Sequence, residues 1–211
     1  MITNNIDYII KAIMIGDTGV GKTTLLKKLT DTKLYYNNST IGVDFFTLNK
    51  KIDNNNIKIN FWDTAGHDRY HNLIKTYFKG NTICYIVYNI SDRKTFVSAS
   101  LWLKIFLKNT SNLNAIIVIL ANKIDNKKRV VSKIEGEEFA QFNNAIYIEI
   151  LVKNQFNLDE IIYKPVKNVL ENYKNKVLEA SELTGFKNIK LERKTNINLN
   201  KKINNKCCVI S

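Results

Sequence analysis

Residues 16–23 have the sequence Gly16-Asp17-Thr18-Gly19-Val20-Gly21-Lys22-Thr23, which matches the phosphate-loop pattern G-x-x-x-x-G-K-[ST]. This loop lies between an apolar run at 9–15, typical of a buried strand, and helical spacing at 25–29. In that context the glycines let backbone N–H groups point at phosphate oxygens, and the helix N-terminus adds favourable partial charge. We expect Lys22 to bridge the outer phosphates of a nucleotide and the Thr23 hydroxyl to bind Mg²⁺, with Thr24 beside them.

Strands and helices alternate outward from the loop. Apolar runs at 43–48, 57–62, 82–90, 115–121 and 145–150 predict strands, and the Asn-rich segment 53–56 predicts a hairpin with a longer loop. Between 90 and 115, one helical face carries Phe96, Leu103, Phe106 and Leu107, and 135–142 predicts another helix. The last helix is predicted to begin at Asn157 as its N-cap, with a kink or late start at Pro165. This order predicts an α/β fold, a mostly parallel sheet with helices on both faces.

The composition supports one folded domain with a tail. The chain has 211 residues, of which 45% are apolar, so a disordered or collagen-like chain is excluded. Apolar periodicity fades after about 176, while lysines and arginines accumulate. We therefore predict a short extension at 1–7, a domain at 8–175 and a flexible, polybasic tail at 176–211.

The cysteines and the apolar runs favour a location inside the cell, on the cytoplasmic side. Cys84, Cys207 and Cys208 are the three cysteines, too few for a disulfide framework, which favours a reducing, intracellular environment. No run reaches the roughly 18 apolar residues of a membrane span, and the N-terminus lacks the features of a signal peptide. We expect a protein of the cytoplasmic side.

The net charge of +13, from 32 Lys and Arg against 19 Asp and Glu, raises the question of nucleic acid as a partner. Lys and Asn are spread along the whole chain rather than clustered, which is typical of a coding bias. No zinc-ligand spacing, recognition-helix pattern or aromatic ribonucleoprotein motif accompanies them. We therefore do not expect a nucleic-acid partner.

Two more motifs follow predicted strands. The first is Trp62-Asp63-Thr64-Ala65-Gly66. In it, Asp63 can interact with Mg²⁺ from the second coordination shell, and the Gly66 N–H can reach the terminal phosphate. Asn122-Lys123-Ile124-Asp125 follows the strand predicted at 115–121, at the end of the sheet where open α/β proteins bind ligands. Asp125 could accept two hydrogen bonds from the guanine ring edge, which adenine cannot supply.

Four further stretches complete the pattern: Ser39-Thr40-Ile41-Gly42-Val43-Asp44-Phe45, Lys58-Ile59-Asn60-Phe61 before Trp62, Tyr77-Phe78-Lys79-Gly80, and Ile86-Val87-Tyr88-Asn89-Ile90-Ser91-Asp92 with Trp102-Leu103 later. With them the chain resembles a small GTPase of the Ras superfamily, of its Rab branch, over about 8–173 and the extreme C-terminus. The resemblance implies the P-loop small-GTPase fold, bound GTP or GDP, and Thr40 as a Mg²⁺ ligand that senses the γ-phosphate. It also implies that Tyr35 or one of its neighbours flanks the guanine.

In two places the chain departs from the family. The Gln that orients the attacking water is replaced by His67, which either acts in catalysis with Lys22 and Thr40 or is an exposed residue without a catalytic role. The last guanine motif, Ser-Ala-Lys, is replaced by Leu151-Val152-Lys153. We expect slow intrinsic hydrolysis, and guanine contact through the backbone N–H of Val152 with its branched side chain crowding the base.

The chain ends in Lys206-Cys207-Cys208-Val209-Ile210-Ser211, where Cys208 begins a C-a-a-X box and the cysteine pair is similar to the Rab acceptor pattern. Two lipid chains, or one with basic residues, hold a protein firmly at a membrane. Ser211 favours farnesyl, whereas the pair favours double geranylgeranylation.

These features predict a monomeric, GTP-hydrolysing switch in vesicle traffic that cycles between the cytosol and the cytoplasmic face of endomembranes. The resemblance implies effectors, an exchange factor, a GTPase-activating protein and a prenyl-binding escort as partners. Two alternatives remain: a GTP-binding membrane scaffold that scarcely hydrolyses, because of His67, and a basic nucleic-acid-binding NTPase.

Overall fold

The computed structural model describes residues 5–32, 40–124, 128–152 and 156–191. Its strands are β1 (Tyr8–Ile15), β2 (Val43–Ile52), β3 (Asn55–Thr64), β4 (Ile83–Asn89), β5 (Ile116–Asn122), β6 (Ile146–Ile150) and β7 (Phe186–Asn188). Its helices are α1 (Lys22–Leu29), α2 (His71–Lys75), α3 (Arg93–Asn109), α4 (Lys133–Phe142) and α5 (Leu158–Lys174), with a 3-10 turn at Asp68–Tyr70. The strands and helices predicted from apolar patterning are all present, displaced by a few residues at their ends.

The sheet has the strand order β2-β3-β1-β4-β5-β6. β2 is antiparallel to β3, and the neighbours from β3 to β6 are parallel. One buried cluster packs α1 and α5 against one face of the sheet, and a second packs α2, α3 and α4 against the other. This arrangement confirms the predicted α/β class, and it brings the carboxyl ends of β1, β3, β4 and β5 to the same edge.

The connection between β2 and β3 differs from the predicted longer loop. The two strands pair continuously from Val43 opposite Thr64 to Ile52 opposite Asn55, which leaves only Asp53 and Asn54 in the turn. Both residues have positive φ, 45° and 64°. Asp and Asn tolerate this conformation, and a two-residue turn of this kind matches the twist of paired strands. The Asn-rich segment is therefore a tight hairpin.

The two long helices also correct the predictions in detail. In α3, Leu103 and Phe106 are buried as predicted, but Leu107 is 50% exposed and Trp102 occupies the core instead. Asn157 precedes α5 with a φ of 59° and makes no capping bond with its side chain, which donates to the Glu149 carbonyl. α5 does not start late, because Pro165 lies buried within it.

Residues 176–191 do not form the flexible tail expected there. β7 pairs antiparallel with the start of β1, opposite residues Tyr8 to Ile10, where β4 has not yet begun. Phe186 and Leu178 are buried in the core cluster on the α1 and α5 side. The tail residues 192–211 lie outside the described part of the chain. Within the described residues, no helix is both long enough and apolar enough to cross a bilayer.

Candidate phosphate and guanine site

The loop between β1 and α1 is folded around the Lys22 side chain. Gly16, Gly19 and Gly21 all have positive φ, between 77° and 139°, which residues with a Cβ rarely adopt. Lys22 is buried, and its Nζ donates to the carbonyls of Gly16 (2.7 Å) and Asp17 (2.9 Å). Burial lowers the pKa of Lys22 to about 8, against the opposing effect of the Asp63 and Asp17 carboxylates. Since a buried ammonium is costly without an anion, the site favours a negatively charged ligand.

Next to Lys22, three oxygen-bearing side chains from different elements converge. The Thr23 hydroxyl donates to Asp63 Oδ2 at 2.5 Å, and it lies 2.6 Å from the Thr40 hydroxyl, which is 3.4 Å from the same carboxylate oxygen. Asp63 is fully buried, and its Oδ1 has no hydrogen-bond partner among the described residues. Burial raises the pKa of Asp63 to about 6. A buried carboxylate beside two hydroxyls fits Mg²⁺, which prefers oxygen ligands and completes its shell with phosphate and water.

Gly66 follows β3 and lies directly against the phosphate loop. A Cβ at Gly66 would be 2.2 Å from the Asp17 carbonyl carbon and 2.2 Å from the Thr18 nitrogen. Any larger residue would push these two backbones apart, so this position requires glycine. The approach places the chain after β3 within reach of a phosphate held by the loop.

The Asn122–Asp125 motif is tied to the same loop. Asn122 Nδ2 donates to the Val20 carbonyl (2.8 Å), and Lys123 Nζ donates to the Gly19 carbonyl (2.8 Å). Both contacts span more than one hundred positions in sequence. They hold the end of β5 against the phosphate loop.

The remaining predicted residues are partly described. Leu151 pairs with Phe156 across a short bridge, and the Val152 side chain packs against the core cluster of α1 and α5. His67 is exposed, and its Nδ1 accepts a hydrogen bond from the backbone N–H of Arg69 at 3.4 Å. Five candidate residues lie outside the described part of the chain: Tyr35, Asp125, Lys153, Cys207 and Cys208.

Two features were not predicted from the sequence. Trp102 in α3 donates its Nε1–H to Asp17 Oδ1 of the phosphate loop at 2.8 Å. In addition, the rings of Phe45, Trp62 and Tyr77 form a row with 5.0 Å between neighbouring centroids. Alternation in β2 and β3 places Phe45 and Trp62 on one face of the hairpin, a signal that could have been used.

Comparison with known proteins agrees with this geometry. The family model described as "Ras family" matches residues 11–171. The chain is 36% identical over 178 residues to GTP-binding protein ypt3 of Schizosaccharomyces pombe, covering 83% of each protein. It is 40% identical over 155 residues to Ras-related protein Rab-11B of Dictyostelium discoideum, covering 72% of this chain and 70% of that relative.

These matches favour the hydrolysing switch over a scaffold without hydrolysis. The chain belongs to the Ras family and is a Rab-like small GTPase, a GTP-binding and GTP-hydrolysing switch in vesicle traffic.

Proposed function

We propose that the switch holds GTP or GDP together with Mg²⁺ at the cluster of Lys22, Thr23, Thr40 and Asp63. The observation that carries this proposal is the buried Asp63 Oδ1, which has no hydrogen-bond partner in the part of the chain that the structure describes and which a cation would satisfy. Thr23 and Thr40 would provide hydroxyl oxygens to the metal, and Asp63 would act on it directly or through water. Mg²⁺ would supply charge neutralisation at the phosphates.

The phosphates themselves would lie in the loop from Gly16 to Thr23, with Thr24 next in α1. Lys22 would stabilise the negative charge that develops on the phosphate oxygens during hydrolysis. The Gly66 N–H would donate to the terminal phosphate, and the close approach of Gly66 to Asp17 and Thr18 in the phosphate loop supports this role. Thr40 would report the presence of the γ-phosphate to the segment that follows it.

We assign guanine selection to Asp125, supported by Asn122 and Lys123, which hold the end of β5 at the phosphate loop. The backbone N–H of Val152 would contact the base between Leu151 and Lys153, and Tyr35 would flank it. The Val152 side chain packs against the core cluster of α1 and α5, which supports the inference that it leaves space for the base.

The aromatic row is the proposed effector surface. Two exposed apolar residues, Ile41 (79% exposed) and Leu73, lie on the segments that follow Thr40 and Gly66, which also carry Phe45 and Tyr77 of the row. Phe45 is exposed, whereas Trp62 and Tyr77 are half-buried, and a partly exposed aromatic cluster of this kind is typical of a protein-binding site. Since the flanking segments also carry the γ-phosphate contacts, the surface would be complete only in the GTP state.

Lipid attachment at Cys207 and Cys208 would hold the protein on the cytoplasmic face of endomembranes. An escort that covers the lipid would return it to the cytosol as a monomer. An exchange factor and a GTPase-activating protein would set the nucleotide state.

The test is the nucleotide selectivity of Asp125→Asn. Asn replaces one acceptor by a donor, so GDP and GTP should bind about 2–4 kcal/mol more weakly, while xanthine nucleotides should now bind. Titration of nucleotide-free protein with both nucleotides measures this change, with Asn126→Asp as a neighbouring control that should keep guanine. Unchanged GDP affinity in Asp125→Asn would remove the guanine-selecting role from this residue.

A further inference from the structure

Asp17 presents two different groups to its surroundings. Its main-chain carbonyl accepts a hydrogen bond from Lys22 Nζ, 2.9 Å away. Its carboxylate instead accepts from Trp102 Nε1 of α3, 2.8 Å away. The phosphate loop therefore contains a carboxylate that is hydrogen-bonded by a residue 85 positions later in the chain.

This acidic charge lies close to the phosphate-binding lysine. The Asp17 carboxylate acts on Lys22 electrostatically, yet Lys22 Nζ bonds only to main-chain carbonyls of Gly16 and Asp17 within the described residues. A carboxylate free to rotate toward Lys22 would compete with phosphate for that ammonium and would repel the phosphate oxygens.

Trp102 is itself firmly held. It is 3% exposed and belongs to the buried cluster of α2, α3 and α4. The His71 ring at the start of α2 contacts its indole edge-to-face, with centroids 4.6 Å apart. These contacts fix the position of the indole N–H on the α3 side of the phosphate loop.

We propose that Trp102 is a positioning residue for nucleotide binding: its indole N–H holds the Asp17 carboxylate away from Lys22 and the phosphates. Trp102 acts through Asp17 and does not touch the nucleotide. Its contribution is electrostatic as well as geometric, and this distinguishes it from an ordinary core residue.

The test is the rate of GDP release from Trp102→Phe, measured by displacement of a fluorescent GDP in Mg²⁺-containing buffer. Phe keeps an aromatic ring in the core but removes the N–H donor, so we expect release roughly tenfold faster than in wild type. Phe106→Leu, in the same helix and cluster but at a side chain that forms no hydrogen bond, is the packing control and should release GDP at the wild-type rate.

The decisive comparison adds Asp17→Asn to Trp102→Phe. Because Asn has no charge to direct at the phosphates, the double variant should return to nearly the wild-type release rate. A loss of packing would not be rescued in this way. A wild-type rate in Trp102→Phe, or a double variant as fast as Trp102→Phe, would overturn the proposal.

A second pair of variants leaves Trp102 intact, in case its replacement prevents folding. Asp17→Glu moves the carboxylate away from the indole N–H and should speed GDP release several-fold more than Asp17→Gln, which has the same length but no charge. Equal release rates for Glu and Gln would contradict the proposal.

Discussion

At the residue scale, we predict that His67 limits the rate of GTP hydrolysis. Its Nδ1 accepts the Arg69 N–H, so a neutral His67 carries its proton on Nε2 and offers only a donor to its surroundings. A Gln offers an acceptor to the attacking water and a donor to the γ-phosphate together. A positioning error of ~1 Å can cost roughly 100-fold in rate, so we expect His67 to be a poor substitute.

We therefore predict that His67→Gln hydrolyses GTP at least tenfold faster than wild type, whereas His67→Ala hydrolyses at close to the wild-type rate. Single-turnover hydrolysis without an activating protein measures both. An activating protein that brings its own catalytic groups should reduce the difference. A tenfold slower His67→Ala would show that His67 positions the water, contrary to this argument.

Among single residues, those in motifs with fixed spacing could be predicted and those in tertiary contacts could not. Lys22, Thr23 and Asp63 belong to such motifs, and they lie close together because the loop after β1 and the end of β3 meet at the same edge of the sheet. The bond between Trp102 and Asp17 depends on how α3 packs against the sheet, which local patterning does not determine.

At the scale of elements, α5 shows how a proline is accommodated inside a helix. Pro165 has no N–H to donate to the carbonyl of Ile161, one turn earlier. The Tyr85 hydroxyl from β4 donates to that carbonyl instead, at 3.0 Å, and all three residues are buried. Sequence alone predicted a kink or late start because the partner lies in another element.

We predict that Tyr85→Phe lowers the free energy of unfolding by about 1–3 kcal/mol, since it leaves a buried carbonyl unpaired. In a Pro165→Ala background the new N–H can pair with Ile161, so Tyr85→Phe should then cost clearly less. Urea unfolding of the four proteins measures the coupling. Equal costs in both backgrounds would show that the hydroxyl does not compensate for the proline.

At the scale of the whole molecule, the segment after α5 completes the sheet. The Phe186 ring stacks on Tyr8 at 5.5 Å and packs against Tyr173 at 5.0 Å. The fading apolar periodicity after 176 did not reveal this, because a three-residue strand has too few residues to show a pattern. β7 is buried because the edge of β1 at residues 8–10 is not paired with β4, which begins further along β1.

Phe186→Ala should therefore destabilise the protein by about 3–5 kcal/mol, as expected for a buried aromatic residue. Leu183→Ala lies in the same segment but is 69% exposed, so we expect a change within about 0.5 kcal/mol. Thermal and urea unfolding of the GDP-bound protein measure both. A Phe186→Ala variant as stable as Leu183→Ala would mean that β7 adds little to the fold.

The docked segment also shortens the connection to the proposed lipid anchor. Ile189 donates to the Asp7 carbonyl, and Lys190 Nζ to Asn55 beside the β2–β3 turn, so the described chain ends at the sheet edge opposite the phosphate loop. Cys207 lies sixteen residues beyond Leu191, a reach of at most roughly 55 Å. We propose that a lipid there would bring this end of the domain toward the bilayer and would leave the aromatic row accessible to effectors.

We predict that replacing both Cys207 and Cys208 by Ser makes the protein wholly cytosolic while GDP binding is unchanged. A single replacement should leave partial attachment, because one lipid chain binds only marginally and each basic residue near anionic lipid adds about 1 kcal/mol. Fractionation of cells that express each variant measures this, and a Cys84→Ser variant serves as control because that thiol is buried in β4. If the double variant were still bound to membranes, the lipid anchor would be excluded. Attachment would then be assigned to the lysines and arginines of 187–206 alone.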